Sequence, residues 1–307
     1  MIDAVMILGP TASGKTALGV KLAKALSTEV ISIDSALVYR SMNIGTAKPT
    51  EEEKEGVPHW LIDIREPFES YSAADFVRDC ENEIDRLQSQ GNLPLIVGGT
   101  MLYAKALKDG LNEMPTSDLS IRASIEEEAA RLGWPAMHEK LADVDPVTAA
   151  RLHRTDAQRI SRALEVYRQT GRPLSSYQSQ PTAGTKYRFL TIGLMPGDRK
   201  RLHDRIEKRF LQMIEDGFLD EVKALMAQPG FERECPSMRA VGYRQAIEYL
   251  SGEITYAEFI AKGVAATRQL AKRQMTWMRS MPDLLTIDPF SEDAFGISLS
   301  AIEKARI

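Results

Sequence analysis

The chain is poor in the residues that build disulfide frameworks and zinc sites. Its 307 residues include two cysteines, Cys80 and Cys235, which lie far apart in the sequence, and four scattered histidines. This pattern excludes a disulfide-stapled scaffold and a structural zinc module. Because unpaired cysteines are typical of a reducing compartment, we expect the protein to be cytoplasmic.

Long apolar runs are also missing. No stretch approaches the roughly 18 apolar residues of a membrane span, so we expect no membrane association. A buried strand is predicted from residue 4 onward, so we expect no removable targeting peptide. The composition, 43% hydrophobic and 27% charged, is that of an ordinary globular protein.

An excess of positive charge is missing too, since the formal net charge is −4. This balance excludes a chain that is basic over its whole surface. Basic residues are nevertheless concentrated in the segments 151–172, 199–209 and 268–279. Because local patches govern association with a polyanion, the composition is compatible with a nucleic-acid partner.

A phosphate-binding motif is present near the N-terminus. Residues 9–16 read GPTASGKT, which fulfils the pattern G-x-x-x-x-G-K-[ST]. The motif follows an apolar run at 4–8 and precedes a helical pattern at 17–26, which is the strand–loop–helix context that it requires. Gly9 and Gly14 let the backbone curl so that several N–H groups face one anion, and the helix N-terminus adds partial positive charge.

The last two residues of the motif supply side chains for the same ligand. Lys15 can reach the bridging and terminal phosphate oxygens, and the Thr16 hydroxyl can join the coordination shell of Mg²⁺. We therefore predict a di- or triphosphate ligand, with Mg²⁺ as cofactor and Thr16 as metal ligand. The predicted diphosphate-binding residues are Gly9, Pro10, Thr11, Ala12, Ser13, Gly14, Lys15 and Thr16.

Short apolar runs alternate with helical patterns along most of the chain. This alternation predicts an α/β fold of the P-loop type, with a mostly parallel sheet flanked by helices. The predicted strands are 4–8, 29–33, 60–64, 93–97, 187–194 and 284–287. Only helical patterns occur at 113–185. We therefore predict a catalytic core at 1–112 and 186–307 with an all-helical insertion domain at 113–185.

A carboxylate follows the second predicted strand. In open parallel sheets, ligands bind beyond the carboxyl ends of the strands, and Asp34 stands at such an end. It is therefore placed to take a proton from a nucleophile that attacks the bound phosphate compound. The alternatives are that Asp34 caps the next turn or orients Mg²⁺ through water.

Paired glycines follow the fourth predicted strand. Gly98 and Gly99 let the backbone approach a ligand closely, and Thr100 could exchange a hydrogen bond with that ligand. A sharp turn with Thr100 as the N-cap of the next helix explains the same residues equally well.

Two helical patterns, at 156–169 and 264–279, carry basic faces that suit a phosphate backbone. The basic residues are Arg159 and Arg162 on the first helix and Arg268, Lys272 and Arg279 on the second. The alternative for either helix is a solvated face that serves only solubility. Between them, Arg239 and Arg244 bracket a turn that contains Tyr243, which could stack on a base or belong to the core.

Seven motifs, in this order and spacing, resemble those of bacterial tRNA dimethylallyltransferases. They are GPTASGKT (9–16), DSALVY (34–39), NIGTAKP (43–49), GGTMLY (98–103), QRISRALEV (158–166), RAVGYRQ (239–245) and TRQLAKRQMTW (267–277). The resemblance covers the chain from about residue 4 to residue 280. The first motif is common to many NTPases, whereas the set is far more specific.

The resemblance implies transfer of a dimethylallyl group from dimethylallyl diphosphate to the exocyclic N6 of the adenosine just 3′ of a tRNA anticodon. It implies that the donor diphosphate and Mg²⁺ are held by Thr11, Ser13, Gly14, Lys15 and Thr16, and that Asp34 is the general base. It also implies that Thr100 lies beside the target amine and Arg122 near the reaction channel.

The resemblance also implies the partners, which are dimethylallyl diphosphate and the anticodon stem-loop of tRNA, bound in part by the helical insertion. The residues that it assigns to tRNA binding are Asp34, Ser35, Ala36, Leu37, Gln158, Arg159, Ile160, Ser161, Arg162, Arg239, Ala240, Val241, Gly242, Tyr243, Arg244, Arg268, Lys272, Arg273 and Arg279. We expect a monomer, because nothing in the sequence indicates an obligate dimer.

Two departures from the family pattern bear on these expectations. Many relatives carry Gln at the position of Leu37, where it can form a hydrogen bond with a base edge. Here that contact has to come from another residue or from the backbone. Eukaryotic relatives add a C-terminal zinc finger, whereas no Cys/His pairing occurs near the end of this sequence. The chain therefore resembles the bacterial form.

Two other functions are compatible with the first motif. A small-molecule or nucleotide kinase would bind ATP there and use Asp34 to activate a hydroxyl, but no apolar run ends in a clear second Mg²⁺-binding aspartate. A P-loop switch or RNA-binding module would use the same motif without transfer chemistry.

Overall fold

A six-stranded sheet, entirely parallel, forms the centre of the computed structural model, which describes every residue except Glu113, Pro181, Ala183, Glu292 and Ile307. The strands are β1 (Ala4–Leu8), β2 (Val30–Ile33), β3 (His59–Trp60), β4 (Leu95–Gly98), β5 (Phe189–Leu194) and β6 (Leu284–Ile287). Their order across the sheet is β3-β2-β4-β1-β5-β6. This arrangement, with its flanking helices, confirms the predicted α/β class.

Fourteen helices are assigned in the described part of the chain. They are α1 (Lys15–Leu26), α2 (Glu51–Lys54), α3 (Ala73–Ser89), α4 (Met101–Asp109), α5 (Leu119–Leu132), α6 (Trp134–Val144), α7 (Pro146–Ala149), α8 (Ala157–Thr170), α9 (Leu174–Gln178), α10 (Arg199–Glu215), α11 (Phe218–Met226), α12 (Tyr243–Leu250), α13 (Tyr256–Arg279) and α14 (Ala294–Arg306). None of the described helices is long and apolar enough to cross a membrane.

The chain divides into two compact units. The core unit comprises 1–108 and 185–307 and contains the sheet, and the helical unit comprises 109–184 and contains α5 to α9. The helical unit has its own hydrophobic cluster, which includes Ile125, Leu141 and Ile160.

The central strand β1 is buried on both faces of the sheet, as a parallel strand covered by helices should be. Successive side chains of a strand point to opposite faces. Met6 accordingly belongs to the cluster that includes Phe210 of α10 and Phe259 of α13. Ile7 belongs to the cluster that includes Leu22 of α1 and Ile302 of α14. Helices α10 and α13 therefore share one face of the sheet.

Two predicted elements differ in extent from those observed. The run at 60–64 is a strand only over His59–Trp60, because Leu61 and Asp63 have φ of 62° and 56°, in the left-handed region that a strand excludes. Helix α13 begins earlier than the predicted residue 264. Thr255 caps it in a capping box with Glu258, a start signal that the sequence analysis did not use.

Candidate active site

A cavity of about 490 Å³ lies in the core unit at the carboxyl ends of three adjacent strands. The phosphate loop after β1 contributes Lys15, the turn after β2 contributes Asp34, and the turn after β4 contributes Thr100. Strand order explains this meeting, since β4 lies between β2 and β1 and all three run in the same direction. The topology thus gathers residues that are far apart in the sequence.

The phosphate loop has the backbone geometry of an anion nest. Ala12 and Gly14 have φ of 64° and 91°, so the chain turns sharply before α1 begins at Lys15. Gly9 allows close packing, because a Cβ there would lie 2.7 Å from the Ser13 Oγ. In the described part of the chain this Oγ is buried without a hydrogen-bond partner.

Gln274 of α13 fixes the loop to the end of β4. Its Oε1 accepts a hydrogen bond of 2.9 Å from the Thr11 N–H, and its Nε2 donates one of 2.8 Å to the Gly99 carbonyl. Both bonds are buried, so each gives a hydrogen-bond partner to a backbone group that water cannot reach. One side chain therefore sets the spacing between two walls of the cavity.

Two arginines of α10 contact the loop and were missed as site residues by the sequence analysis. Arg209 donates a hydrogen bond to the Thr11 hydroxyl, and Arg205 Nε donates one of 2.9 Å to the Ala12 carbonyl. Only Arg209 lines the cavity. The signal for both was their i, i+4 spacing within the basic segment 199–209, which places them on one helix face.

Burial, together with a neighbouring arginine in each case, lowers the pKa of two cations at the loop. Burial lowers the pKa of Lys15 to about 8; the charge of Asp34 partly offsets this, and that of Arg209 adds to it. Burial also lowers the pKa of Arg209, where Asp34 again opposes the shift and Arg205 reinforces it. A bound anion would raise both values, so the site gains by taking up negative charge.

Asp34 has one carboxylate oxygen engaged and one available. Its Oδ1 accepts a hydrogen bond of 2.9 Å from the Ala36 N–H, which is the turn-capping role considered above. Among the described residues its Oδ2 has no hydrogen-bond partner, so capping leaves this oxygen to accept a proton. The side chain is partly exposed and lines the cavity.

Thr100 is held beside Asp34. Its Oγ1 accepts a hydrogen bond of 2.9 Å from the Ser35 N–H and lies 3.3 Å from the Ser35 Oγ. The side chain therefore joins the ends of β2 and β4, while the Thr100 carbonyl accepts hydrogen bonds from the Tyr103 and Ala104 N–H groups at the start of α4.

The residues of the turn at 239–244 differ in whether they line the cavity, are exposed or belong to the core. Arg239, Ala240, Val241 and Gly242 line the cavity, and Arg244 is exposed. Tyr243 contributes to the lining, but its side chain is 0% exposed and its hydroxyl donates a 2.5 Å hydrogen bond to Glu221. Its ring belongs to the core and is not available to stack on a base, so the stacking interpretation is wrong.

Glu221 explains a motif that had no interpretation from the sequence. Its carboxylate accepts hydrogen bonds from the backbone N–H groups of Asn43, Ile44 and Gly45, at 2.7, 2.7 and 3.1 Å. The NIGTAKP segment is thus clamped to α11 next to Tyr243, and Gly45 lines the cavity.

The residues expected on α8 divide into exposed and buried positions. Gln158 and Arg159 are exposed. Ile160 lies in the cluster of the helical unit and is 0% exposed, and Ser161 is 7% exposed. Helix periodicity turns these two side chains inward, and the predicted contact of both residues with RNA stays a prediction.

Arg122 and Arg162 share a buried carboxylate within the helical unit. Glu165 is 0% exposed, and its Oε2 lies 3.2 Å from the Arg122 Nε and 2.8 Å from an Arg162 nitrogen. Burial would raise the pKa of Glu165, but hydrogen bonds from Arg162, Ser117 and the Asp118 N–H hold it below its usual range. The observed contacts of both arginines are those of an ion-pair cluster, and the catalytic role of Arg122 stays a prediction.

On α13 the basic residues differ in their surroundings. Arg268 forms an ion pair of 2.7 Å with Glu207. Lys272, Arg273 and Arg279 are exposed, and Arg273 also lines the cavity. In the described part of the chain, none of these three forms an ion pair. We call them the basic face of α13.

No group of three or more His, Cys, Asp or Glu side chains among the described residues could hold a metal ion. Thr16 is exposed in the first turn of α1 and lines the cavity with Asp34.

A family model described as IPP transferase matches residues 37–281. The chain belongs to the IPP transferase family. The resemblance noted in the sequence is thereby confirmed.

Relatives within this family extend over nearly the whole chain. A tRNA dimethylallyltransferase of Paraburkholderia phymatum is 52% identical over 302 residues, which are 97% of this chain and 95% of the relative. One of Ralstonia pickettii is 54% identical over 297 residues, covering 94% and 91% of the two chains.

Solved structures of the family have the same fold. The full-length tRNA isopentenylpyrophosphate transferase of Bacillus halodurans is 40% identical with a TM-score of 0.73, over 99% of this chain and 96% of its own. A eukaryotic dimethylallyltransferase, described in crystallographic snapshots as acting on tRNA, is 26% identical with a TM-score of 0.81, over 99% and 79%.

The bridge made by Gln274 can be tested by the substitution Gln274→Leu, which roughly preserves volume and leaves the Thr11 N–H and the Gly99 carbonyl unpaired. Because each buried unpaired group costs about 1–3 kcal/mol, we expect the free energy of unfolding in urea to fall by about 2–4 kcal/mol. Gln269→Leu, at an exposed position on the same helix, is the control and should change it by less than about 0.5 kcal/mol. Equal effects of the two variants would show that the bridge contributes nothing.

Proposed function

We propose that this protein transfers a dimethylallyl group from dimethylallyl diphosphate to the exocyclic N6 of the adenosine 3′-adjacent to the anticodon of tRNA. The observation that carries the proposal is one cavity that joins an anion nest to a carboxylate, in a chain of the IPP transferase family. The names of the relatives from Paraburkholderia and Ralstonia, tRNA dimethylallyltransferase, support the choice of substrates.

The donor's diphosphate is bound by the phosphate loop, Lys15 and Arg209. Cleavage of the C–O bond leaves positive charge on the allylic carbon and negative charge on the diphosphate. In this proposal the loop N–H groups and the two cations surround the departing diphosphate, and such preorganisation lowers the barrier. The loop therefore binds a leaving group and does not position a phosphoryl group for transfer.

The donor's dimethylallyl group has an apolar region available beside the loop. The apolar side chains that line the cavity there are Ile206, Phe210, Met213, Phe218 and Leu270. Such a surface excludes water from the developing allylic cation, which water would otherwise capture.

Mg²⁺ fits the donor site through Thr16. This ion keeps several waters and is usually bound through one or two protein oxygens together with substrate phosphates, so a dedicated cluster of carboxylates is not needed. The exposed Thr16 hydroxyl is such an oxygen, and Asp34 lines the same cavity. When bound, the ion would neutralise part of the diphosphate charge.

The acceptor amine is activated by Asp34. The N6 lone pair is delocalised into the adenine ring, so this nitrogen is a poor nucleophile until its proton begins to leave. In the proposed step the N6–C bond forms as the C–O bond breaks, and the N6 proton passes to Asp34 Oδ2. Thr100 is held beside Asp34 by its bond to the Ser35 N–H, and it orients the amine.

The tRNA is bound by the basic face of α13 together with Arg239 and Arg244 of the core unit, and by Gln158 and Arg159 of the helical unit. All of these side chains are exposed, as contact with a phosphate backbone requires. The adenine must be unstacked to enter the cavity, at a cost of a few kcal/mol, and backbone contacts offset that cost. We also propose that the protein is cytoplasmic and monomeric.

The transfer reaction is tested with purified protein, unmodified tRNA and radiolabelled dimethylallyl diphosphate. We expect label to enter the RNA. Asp34→Asn keeps the shape but removes the proton acceptor, so its turnover should fall by at least about 10²-fold, the scale of a lost general base. Binding of tRNA should be nearly unchanged, as measured by filter retention.

Asp216→Asn, an exposed change at the end of α10, is the matched control and should keep full turnover. Full turnover of Asp34→Asn would remove Asp34 from the mechanism. Consumption of ATP with a small acceptor, without labelled RNA, would support the kinase instead.

The role of the basic face is tested by the double substitution Lys272→Ala and Arg279→Ala. Each lost phosphate contact should reduce the slope of log affinity against log salt by about one unit, because fewer counterions are released on binding. The slope is measured from tRNA binding at several salt concentrations. Lys223→Ala with Lys304→Ala, two exposed cations on α11 and α14, is the control of equal charge. An identical slope for both pairs would show that the basic face does not contact tRNA and serves only solubility.

A further inference from the structure

A second cavity, of about 210 Å³, adjoins the phosphate loop and shares no lining residue with the first among the described residues. The residues that line it are Ser13, Gly14, Leu18, Leu194, Arg201, Arg205, Pro289, Phe290, Ser291 and Ala294. It thus combines the two central residues of the anion nest with two arginines and the segment before α14. No step of the proposed reaction uses it.

The two arginines are held in place without an acidic partner. Arg201 and Arg205 lie with their guanidinium carbons 4.6 and 5.5 Å from the centre of the Phe290 ring. Neither forms an ion pair with an acidic side chain in the described part of the chain. Two cations that share one aromatic ring repel each other, and a bound anion would remove that repulsion.

Ser13 adds a buried hydroxyl that lacks a hydrogen-bond partner among the described residues. It is 3% exposed, and it lines the second cavity. A buried hydroxyl without a partner is costly, and rotation about one side-chain bond can redirect it. Ser291 also lines this cavity, and its exposed hydroxyl donates a hydrogen bond of 2.8 Å to the Asp288 carbonyl, which leaves the hydroxyl oxygen as an acceptor.

Arginines on successive turns of α10 connect the two cavities. Arg209 lines the first cavity, Arg205 bonds the Ala12 carbonyl of the loop between them, and Arg201 lines the second. Their i, i+4, i+8 spacing extends along about 12 Å of helix. We call these three residues the arginine track.

We propose that the second cavity is a binding site for free pyrophosphate, which reaches it along the arginine track after transfer. This inference rests on the proposed function, in which pyrophosphate is the leaving group. RNA bound over the mouth of the first cavity obstructs release on that side. An anion site on the other side of the loop lets the product depart before the modified RNA does.

The test measures binding of inorganic pyrophosphate by calorimetry, in a Lys15→Ala background that weakens the loop site. We expect residual binding that becomes about tenfold weaker when Arg201→Gln is added, on the scale of one charge-assisted contact. Lys200→Gln, at the adjacent exposed position on α10, removes the same charge and should change the affinity less than about twofold.

Equal effects of the Arg201 and Lys200 substitutions, or no residual binding in the Lys15→Ala protein, would overturn the proposal. In the otherwise unchanged enzyme, Arg201→Gln should also make pyrophosphate a several-fold weaker inhibitor of RNA labelling. The binding measurement requires no turnover. Absence of RNA labelling together with intact pyrophosphate binding would therefore reject the proposed function and leave the anion site standing.

Discussion

The pair of hydrogen bonds made by Gln274 is the interaction on which the geometry of the site depends. It joins the phosphate loop after β1 to the turn after β4, and Thr100 continues the connection to the turn after β2. Three strand ends are thereby fixed relative to one another. An anion nest is useful for transfer chemistry only if the acceptor is held at a fixed distance from it, and these bonds supply that constraint.

The charges of Lys15, Arg209 and Asp34 around the first cavity link the binding of a diphosphate to the proposed proton transfer. Burial lowers the pKa of Lys15 and of Arg209, a neighbouring arginine adds to each shift, and the charge of Asp34 partly offsets it. Binding of a diphosphate restores the balance on the donor side. In the proposed function Asp34 then serves as the base for the acceptor amine.

The sequence contained enough to predict the fold class and the meeting of Lys15, Asp34 and Thr100 in one cavity, because local motifs and strand ends carry that information. It did not reveal Gln274, whose partners are 175 and 263 residues away. Nor could it separate exposed from buried positions within a motif, as Tyr243 shows. An aromatic residue between two arginines has the same local pattern whether its ring packs inward or outward.

The most direct test of the account is a crystal structure with an anticodon stem-loop RNA and an unreactive thio analogue of dimethylallyl diphosphate. We predict that the diphosphate lies in the nest formed by the phosphate loop, in contact with Lys15. The adenine N6 should lie within hydrogen-bond reach of Asp34, at about 2.6–3.2 Å. An amine remote from Asp34, or a diphosphate bound away from the loop, would contradict the account.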